Sequence, residues 1–113
     1  MKNSCLQGYN SRYITMKCSG KAAPGDLAVM SGNNIVEKAD SGKFMGVIHS
    51  MRDEYALVQT GGFVVLHYSG EDPAVGFVKL ASDAAGDAVK SDSGREVLVI
   101  EVDTTEKNVG ILF

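Results

Sequence analysis

Glu37-Lys38-Ala39-Asp40-Ser41-Gly42-Lys43-Phe44-Met45-Gly46-Val47-Ile48 lines up, 52 residues on, with Val89-Lys90-Ser91-Asp92-Ser93-Gly94-Arg95-Glu96-Val97-Leu98-Val99-Ile100, and six of the twelve positions are identical. The match runs on through a polar turn, Arg52-Asp53-Glu54 against Thr104-Thr105-Glu106. It ends in an apolar segment, Ala56-Leu57-Val58-Gln59 against Asn108-Val109-Gly110-Ile111. Upstream, Pro24-Gly25-Asp26-Leu27-Ala28-Val29 answers Ala74-Val75-Gly76-Phe77-Val78-Lys79. Units this short cannot bury an apolar face alone, so the simplest account is one small β-meander used twice, each copy covering the other. Val47-Ile48 and Val99-Ile100 then belong to one shared core.

Thirteen glycines and two prolines punctuate β-branched and aromatic runs along the 113 residues, the spacing of many short strands. Strands are expected near 13–18, 26–30, 34–38, 43–50, 55–60, 62–68, 76–81, 87–90, 95–102 and 108–113. The Ala-rich stretch 81–87 has room for a single helical turn at most. In Tyr13–Cys18 the alternation puts Ile14, Met16 and Cys18 on one face. Residues 95–102 are apolar on nearly both faces, which suits the middle of a sheet or a subunit interface. The expected fold is all-β: a small β-barrel or sandwich over residues 21–113, built from two related meanders at about 24–60 and 74–112. The polar first 20 residues precede the repeat and read as an N-terminal arm, its strand-forming segment suited to pairing with an exposed edge on a partner.

The charge balance, 11 Lys and Arg against 14 Asp and Glu for a net −3, provides no footprint for gripping a nucleic-acid backbone. Apolar runs such as Phe63-Val64-Val65-Leu66 fall far short of the roughly 20 residues of a membrane-spanning helix. The opening residues carry one basic group and no apolar stretch, so no secretory signal is expected. Cys5 and Cys18 read as reduced thiols of a protein folded in the cytosol, with a Cys5–Cys18 disulfide as the alternative. With only His49 and His67 to add to them, no metal site is expected, nor any cofactor.

The sharpest enzymatic pattern is the duplicated Asp40-Ser41-Gly42 and Asp92-Ser93-Gly94, since paired triplets of this kind supply the two carboxylates of aspartic proteases. Here Lys38, Lys43, Lys90 and Arg95 flank the triplets and would hold both carboxylates ionised, removing the shared proton. Asp-Ser-Gly between strands is also ordinary turn chemistry, Asp accepting from the backbone two residues on and Gly taking a positive φ. His67 reads as a strand residue on the more polar face, and His49 as a solvated site matched to Glu101 in the other copy. Gly61-Gly62 reads as a tight hairpin turn. The aromatic residues read mostly as packing groups. No catalytic activity is expected.

Pro24-Gly25-Asp26, Val36-Glu37-Lys38-Ala39-Asp40, Gly46-Val47-Ile48, Gln59-Thr60-Gly61-Gly62, Pro73-Ala74-Val75-Gly76, Gly94-Arg95, Val102-Asp103 and Asn108-Val109-Gly110-Ile111-Leu112-Phe113 together resemble the capsid decoration, or cement, proteins of tailed bacteriophages. The resemblance covers about residues 20–113. It implies a structural virion protein without cofactor, assembled in the host cytoplasm and added to the capsid exterior as a homotrimer. There it would bind the major capsid protein and clamp neighbouring subunits. It also implies an N-terminal arm that reaches the capsid, and on this chain Tyr13, Ile14, Thr15 and Met16 are the expected contacts. The alternative is a small β-barrel binding module for a glycan or peptide, which a groove lined by Tyr would favour.

Overall fold

A computed structural model of the chain describes residues 11–113. Ten strands and no helix make up this part: β1 (Arg12–Cys18), β2 (Leu27–Gly32), β3 (Ile35–Lys38), β4 (Gly46–Arg52), β5 (Tyr55–Gly61), β6 (Phe63–His67), β7 (Gly76–Ser82), β8 (Ala88–Lys90), β9 (Arg95–Asp103) and β10 (Asn108–Leu112). Each coincides with an expected strand to within three residues at either end.

Strands β1–β5 close into a barrel in the order β1-β3-β2-β4-β5. Antiparallel pairing of β1 with β5 and a short parallel contact of Lys17 and Cys18 with Ile35 and Val36 complete the circle. Strands β6–β10 form a sheet in the order β6-β10-β9-β7-β8, whose two ends meet in one parallel bridge, Tyr68 to Ala88. The second sheet is the first repeated strand for strand. Even the seam is copied: Ser19 N–H donates to the Val36 carbonyl at 2.8 Å, and Ser69 N–H to the Ala88 carbonyl at 2.9 Å.

Tyr13–Cys18 is therefore not part of an arm outside the repeat. It is β1, the structural counterpart of β6, and without it β5 would present a bare edge. Residues 1–10 of the expected arm, Cys5 among them, lie outside the described residues. Cys18 is a buried free thiol, its pKa raised by burial and then by the charge of Glu37.

Cross-strand registers identify which residues correspond. Thr15 matches Val65, Val36 matches Ala88, Ile48 matches Val99 and Val58 matches Ile111, at separations of 50, 52, 51 and 53 residues. One cause of the drift is visible in the last hairpins, where Thr104–Lys107 makes the turn that Asp53-Glu54 makes in the first copy. A β-bulge leaves His49 and Ile100 as the extra residues of β4 and β9. Ile100 is accordingly half-buried, and Val99 holds the core position that the alignment at 52 assigned to it. By the same register His49 corresponds to Ile100, and Ser50 to Glu101.

Two apolar clusters follow from the alternation. Cys18, Ala28, Val36, Ile48, Ala56 and Val58 fill the first barrel. Leu66, Leu80, Val97, Val99, Val109 and Ile111 fill the second sheet, joined by Leu27, Ala39, Phe44 and Val47 from the first half. Leu27 and Val47 neighbour the inward Ala28 and Ile48, so they point out of the first barrel and into the second unit. Arg95 fastens the junction: its guanidinium donates to the Met45 carbonyl at 3.1 Å and stacks over Phe44 and Phe113.

Three glycines play parts other than those expected. Gly61-Gly62 is no hairpin, because β5 and β6 do not pair; it is the passage between the two halves, where Gly62 exchanges hydrogen bonds with Phe113. Gly42 takes the positive φ of its Asp-Ser-Gly turn, but Gly94 does not. A Cβ on Gly94 would meet the Leu80 backbone at 2.5 Å, so close strand approach excludes a side chain there. Nor does either aspartate accept from the backbone two residues on: Asp40 accepts from Ser41 Oγ, and in the second copy Ser91 Oγ accepts from Ser93 N–H.

The β7–β8 turn is held by Asp83. Burial alone would raise its carboxyl pKa. Hydrogen bonds from Ser69 Oγ and from the amides of Ala85 and Asp87 outweigh that and hold it below the usual carboxylate range. A folded-state pKa below the unfolded value gives stability that is present above the unfolded value and lost as pH falls through the folded one. Urea unfolding of the wild type should therefore weaken in that acid window. Asp83→Asn should flatten this part of the pH profile, and an unchanged profile would remove Asp83 as its source.

Candidate functional site

The titratable groups most tightly drawn together are Tyr68, Asp72 and Lys107. Tyr68 Oη donates to Asp72 Oδ1 at 2.7 Å, and Lys107 Nζ donates to the same oxygen at 3.2 Å and lies over the Tyr68 ring. Burial, then the hydrogen bond and charge of Asp72, push the Tyr68 pKa up to about 12; Asp72 is held low by those same two donors. The Tyr68 side chain is buried, so this is a latch tying the segment after β6 to the β9–β10 turn. The Asp72 and Lys107 side chains that hold it stand about half-exposed at the surface.

The two Asp-Ser-Gly turns lie in different halves, both aspartates are exposed, and no hydrogen bond joins their carboxyls. Three of the four flanking cations are occupied elsewhere: Lys38 pairs with Asp26, Lys90 with Glu71, and Arg95 reaches Met45. His67 pairs with Asp87 at 3.2 Å on the surface, and His49 stands edge-on to the Tyr13 ring. Among the described residues no group of three or more His, Cys, Asp or Glu is placed to hold a metal ion.

What the molecule does present is apolar surface on the outside of its sheets. On the first barrel, Thr15, Leu57 and Ser50 form one outward row across β1, β5 and β4, and Lys17, Tyr55 and Arg52 form the next. Between them runs a shallow groove of about 360 Å³ whose lining includes Thr15, Ser50, Arg52, Tyr55 and Leu57. Tyr13, at 45 % exposure, and Tyr55, at 49 %, stand on this face. Of the four expected contact residues only Tyr13 and Thr15 are on it. Met16 packs against the first core, because a strand of the barrel wall turns every second side chain inward; Ile14 alternates with it opposite Val58 but is 42 % exposed. Tyr55 carried no sequence signal that set it apart from the packing aromatics.

On the second unit, Phe77, Leu98, Leu112 and Phe63 stand opposite one another across β7, β9, β10 and β6. This row passes from buried Phe63 to Phe77, which is 73 % exposed, with Val75 at 69 % beside it. The two-sided apolar pattern of residues 95–102 had pointed to such a face. Comparison with known protein families, with curated proteins and with solved structures returns no match.

Proposed function

We propose that the chain is a structural virion protein of a tailed bacteriophage, which binds the outer surface of the head and stabilises contacts between major capsid subunits. The observation that supports it best is the open face of β1, β5 and β4, where Tyr13, Thr15, Tyr55 and Leu57 stand on a closed barrel instead of inside a deep cleft. Aromatic side chains on a rigid sheet suit a protein partner, because they bury a large area while losing little conformational freedom. Each copy adds a modest contact, and many symmetric copies together make the shell harder to rupture.

Co-sedimentation with heads stripped of decoration tests this reading. The wild type should pellet with heads, and Tyr13→Ser combined with Tyr55→Ser should reduce binding by roughly a hundredfold, about tenfold for each aromatic anchor lost. Their exposure leaves thermal unfolding near the wild-type midpoint. Wild-type protein that stays in the supernatant, or a double variant that pellets as well as wild type, overturns the assignment. The groove beside Tyr55, with the hydroxyls of Thr15 and Ser50 and the charges of Arg52 and Asp53, favours a second reading as a glycan or peptide module. Saturable binding of a glycan or peptide without any binding to heads would decide for it.

A further inference from the structure

Twin hydrogen bonds mark equivalent places in the two halves: Ala39 N–H donates to the Leu27 carbonyl at 2.8 Å, and Ser91 N–H to the Lys79 carbonyl at 3.2 Å. Leu27 and Ala39 are buried and join the core of the second unit. At the equivalent place in the second half, Lys79 and Ser91 line an open groove of about 580 Å³, a size that suits a small ligand. An ammonium and a hydroxyl where the first copy has leucine and alanine make a poor apolar seat, so this place is built for a polar occupant or for water.

Water alone does not account for the aromatic ring in that lining. Phe77 stands in the groove at 73 % exposure, so its ring gains little from the core. Around it are the ammonium of Lys90 and the carboxylates of Glu71 and Asp92. The wall that bears Glu71 lies outside the strands, yet it is fixed from behind. Pro73 is buried, Tyr68 Oη holds Asp72 at 2.7 Å, and Lys107 Nζ reaches both Asp72 and the Gly70 carbonyl, the latter at 3.4 Å. A groove whose irregular wall is already tied down loses little freedom when a ligand fills it.

We propose that this groove binds a neutral saccharide, with one pyranose ring stacked on Phe77. The negative face of the phenyl ring receives the C–H face of the sugar. Sugar hydroxyls both donate and accept, and the lining offers both: Lys79 and Lys90 donate, Glu71 and Asp92 accept, and Ser91 does either. Two ammonium groups against two carboxylates, with Glu96 opposite Lys79 in the sheet, leave no strong field that would select an anion or a cation. Lys90 and Glu71 already pair at 3.4 Å, but an ion pair this exposed is weak, so ligand hydroxyls can replace it. The groove shares no lining residue with the one beside Tyr55, so this assignment and either reading of the β1–β5–β4 face can fail separately.

Titration of the isotope-labelled full chain with the trimers of glucose (maltotriose), N-acetylglucosamine and mannose, followed by amide NMR, tests it. At least one sugar should shift the amides of Glu71, Phe77 to Lys79 and Lys90 to Asp92 with millimolar affinity, and leave those of Thr15 and Tyr55 unmoved. Phe77→Ala should weaken that binding about tenfold, whereas Phe77→Trp, which keeps a stacking face, should retain it. The position is exposed, and thermal unfolding verifies that both variants are folded. The proposal is overturned if none of the three sugars moves these amides, or if Phe77→Ala binds as tightly as wild type. It is equally overturned if these amides respond only to sodium sulfate or to tetra-alanine, which would make the groove an anion site or a peptide site.

Discussion

Removal of residues 1 to 18 is expected to abolish cooperative folding of the first half instead of leaving a soluble domain. β1 pairs with β5 at six positions and supplies the parallel contact to β3, so its loss opens the barrel at both neighbours. It also withdraws Cys18 and Met16 from the first core and uncovers Val36, Ala56 and Val58. At about 1.5 to 3 kcal/mol for each large apolar side chain returned to water, such a loss is comparable to the roughly 5 to 15 kcal/mol by which small domains are stable. The second half is not insulated from the damage, because Leu27 and Val47 pass from the first barrel into its core. The truncated protein should therefore bind a hydrophobic dye, lose its near-ultraviolet circular dichroism and aggregate on concentration. A sharp thermal transition at the wild-type midpoint would instead restore Tyr13–Cys18 to the role of a detachable arm.

The strand pattern was legible because turns and alternation are local properties, and the closed packing of ten short strands leaves little competition for them. The repeat was legible only where its spacing stayed constant. Glu37–Asp40 and Val89–Asp92 keep the separation of 52 that also holds between Val36 and Ala88, so the alignment there agrees with the register. β1 and β6 share the topology but no sequence identity that an alignment could seize, and their offset of 50 hides the match. The outer faces were partly legible. Apolar residues on both sides of β9 pointed to a covered or docking surface, but nothing local distinguishes Tyr55, which ends on the surface, from Phe44, which ends in the core. That difference is set by where the second unit sits, a tertiary fact with no local periodicity. Alternation identified the shared face of Ile14 and Met16, but not that a barrel interior lay behind Met16; Ile14, nearer the start of β1, remains exposed.

The drift in spacing makes a sharper prediction than the repeat itself. At a separation of 52, Ile48 and Ile100 would be equivalent and equally costly to truncate. The registers make Ile48 and Val99 the equivalent pair, because side chains alternate with period two and a one-residue slip exchanges inside for outside. Ile48 and Val99 are both buried, in the first and second core respectively. Ile48→Ala should cost about 2 to 5 kcal/mol and Val99→Ala about 1.5 to 3, each the transfer of the deleted methyl groups plus the cavity left behind. Ile100→Ala, at the half-exposed bulge, should cost only about 1 kcal/mol or less. Chemical denaturation of the three variants measures these differences directly. All three should retain a single transition that shifts as a whole, because Leu27, Phe44 and Val47 make the second core depend on the first. Two transitions, one moved only by Ile48→Ala and the other only by Val99→Ala, would make the halves independent. An Ile100→Ala cost as large as that of Ile48→Ala would return the core position to Ile100 and overturn the bulge.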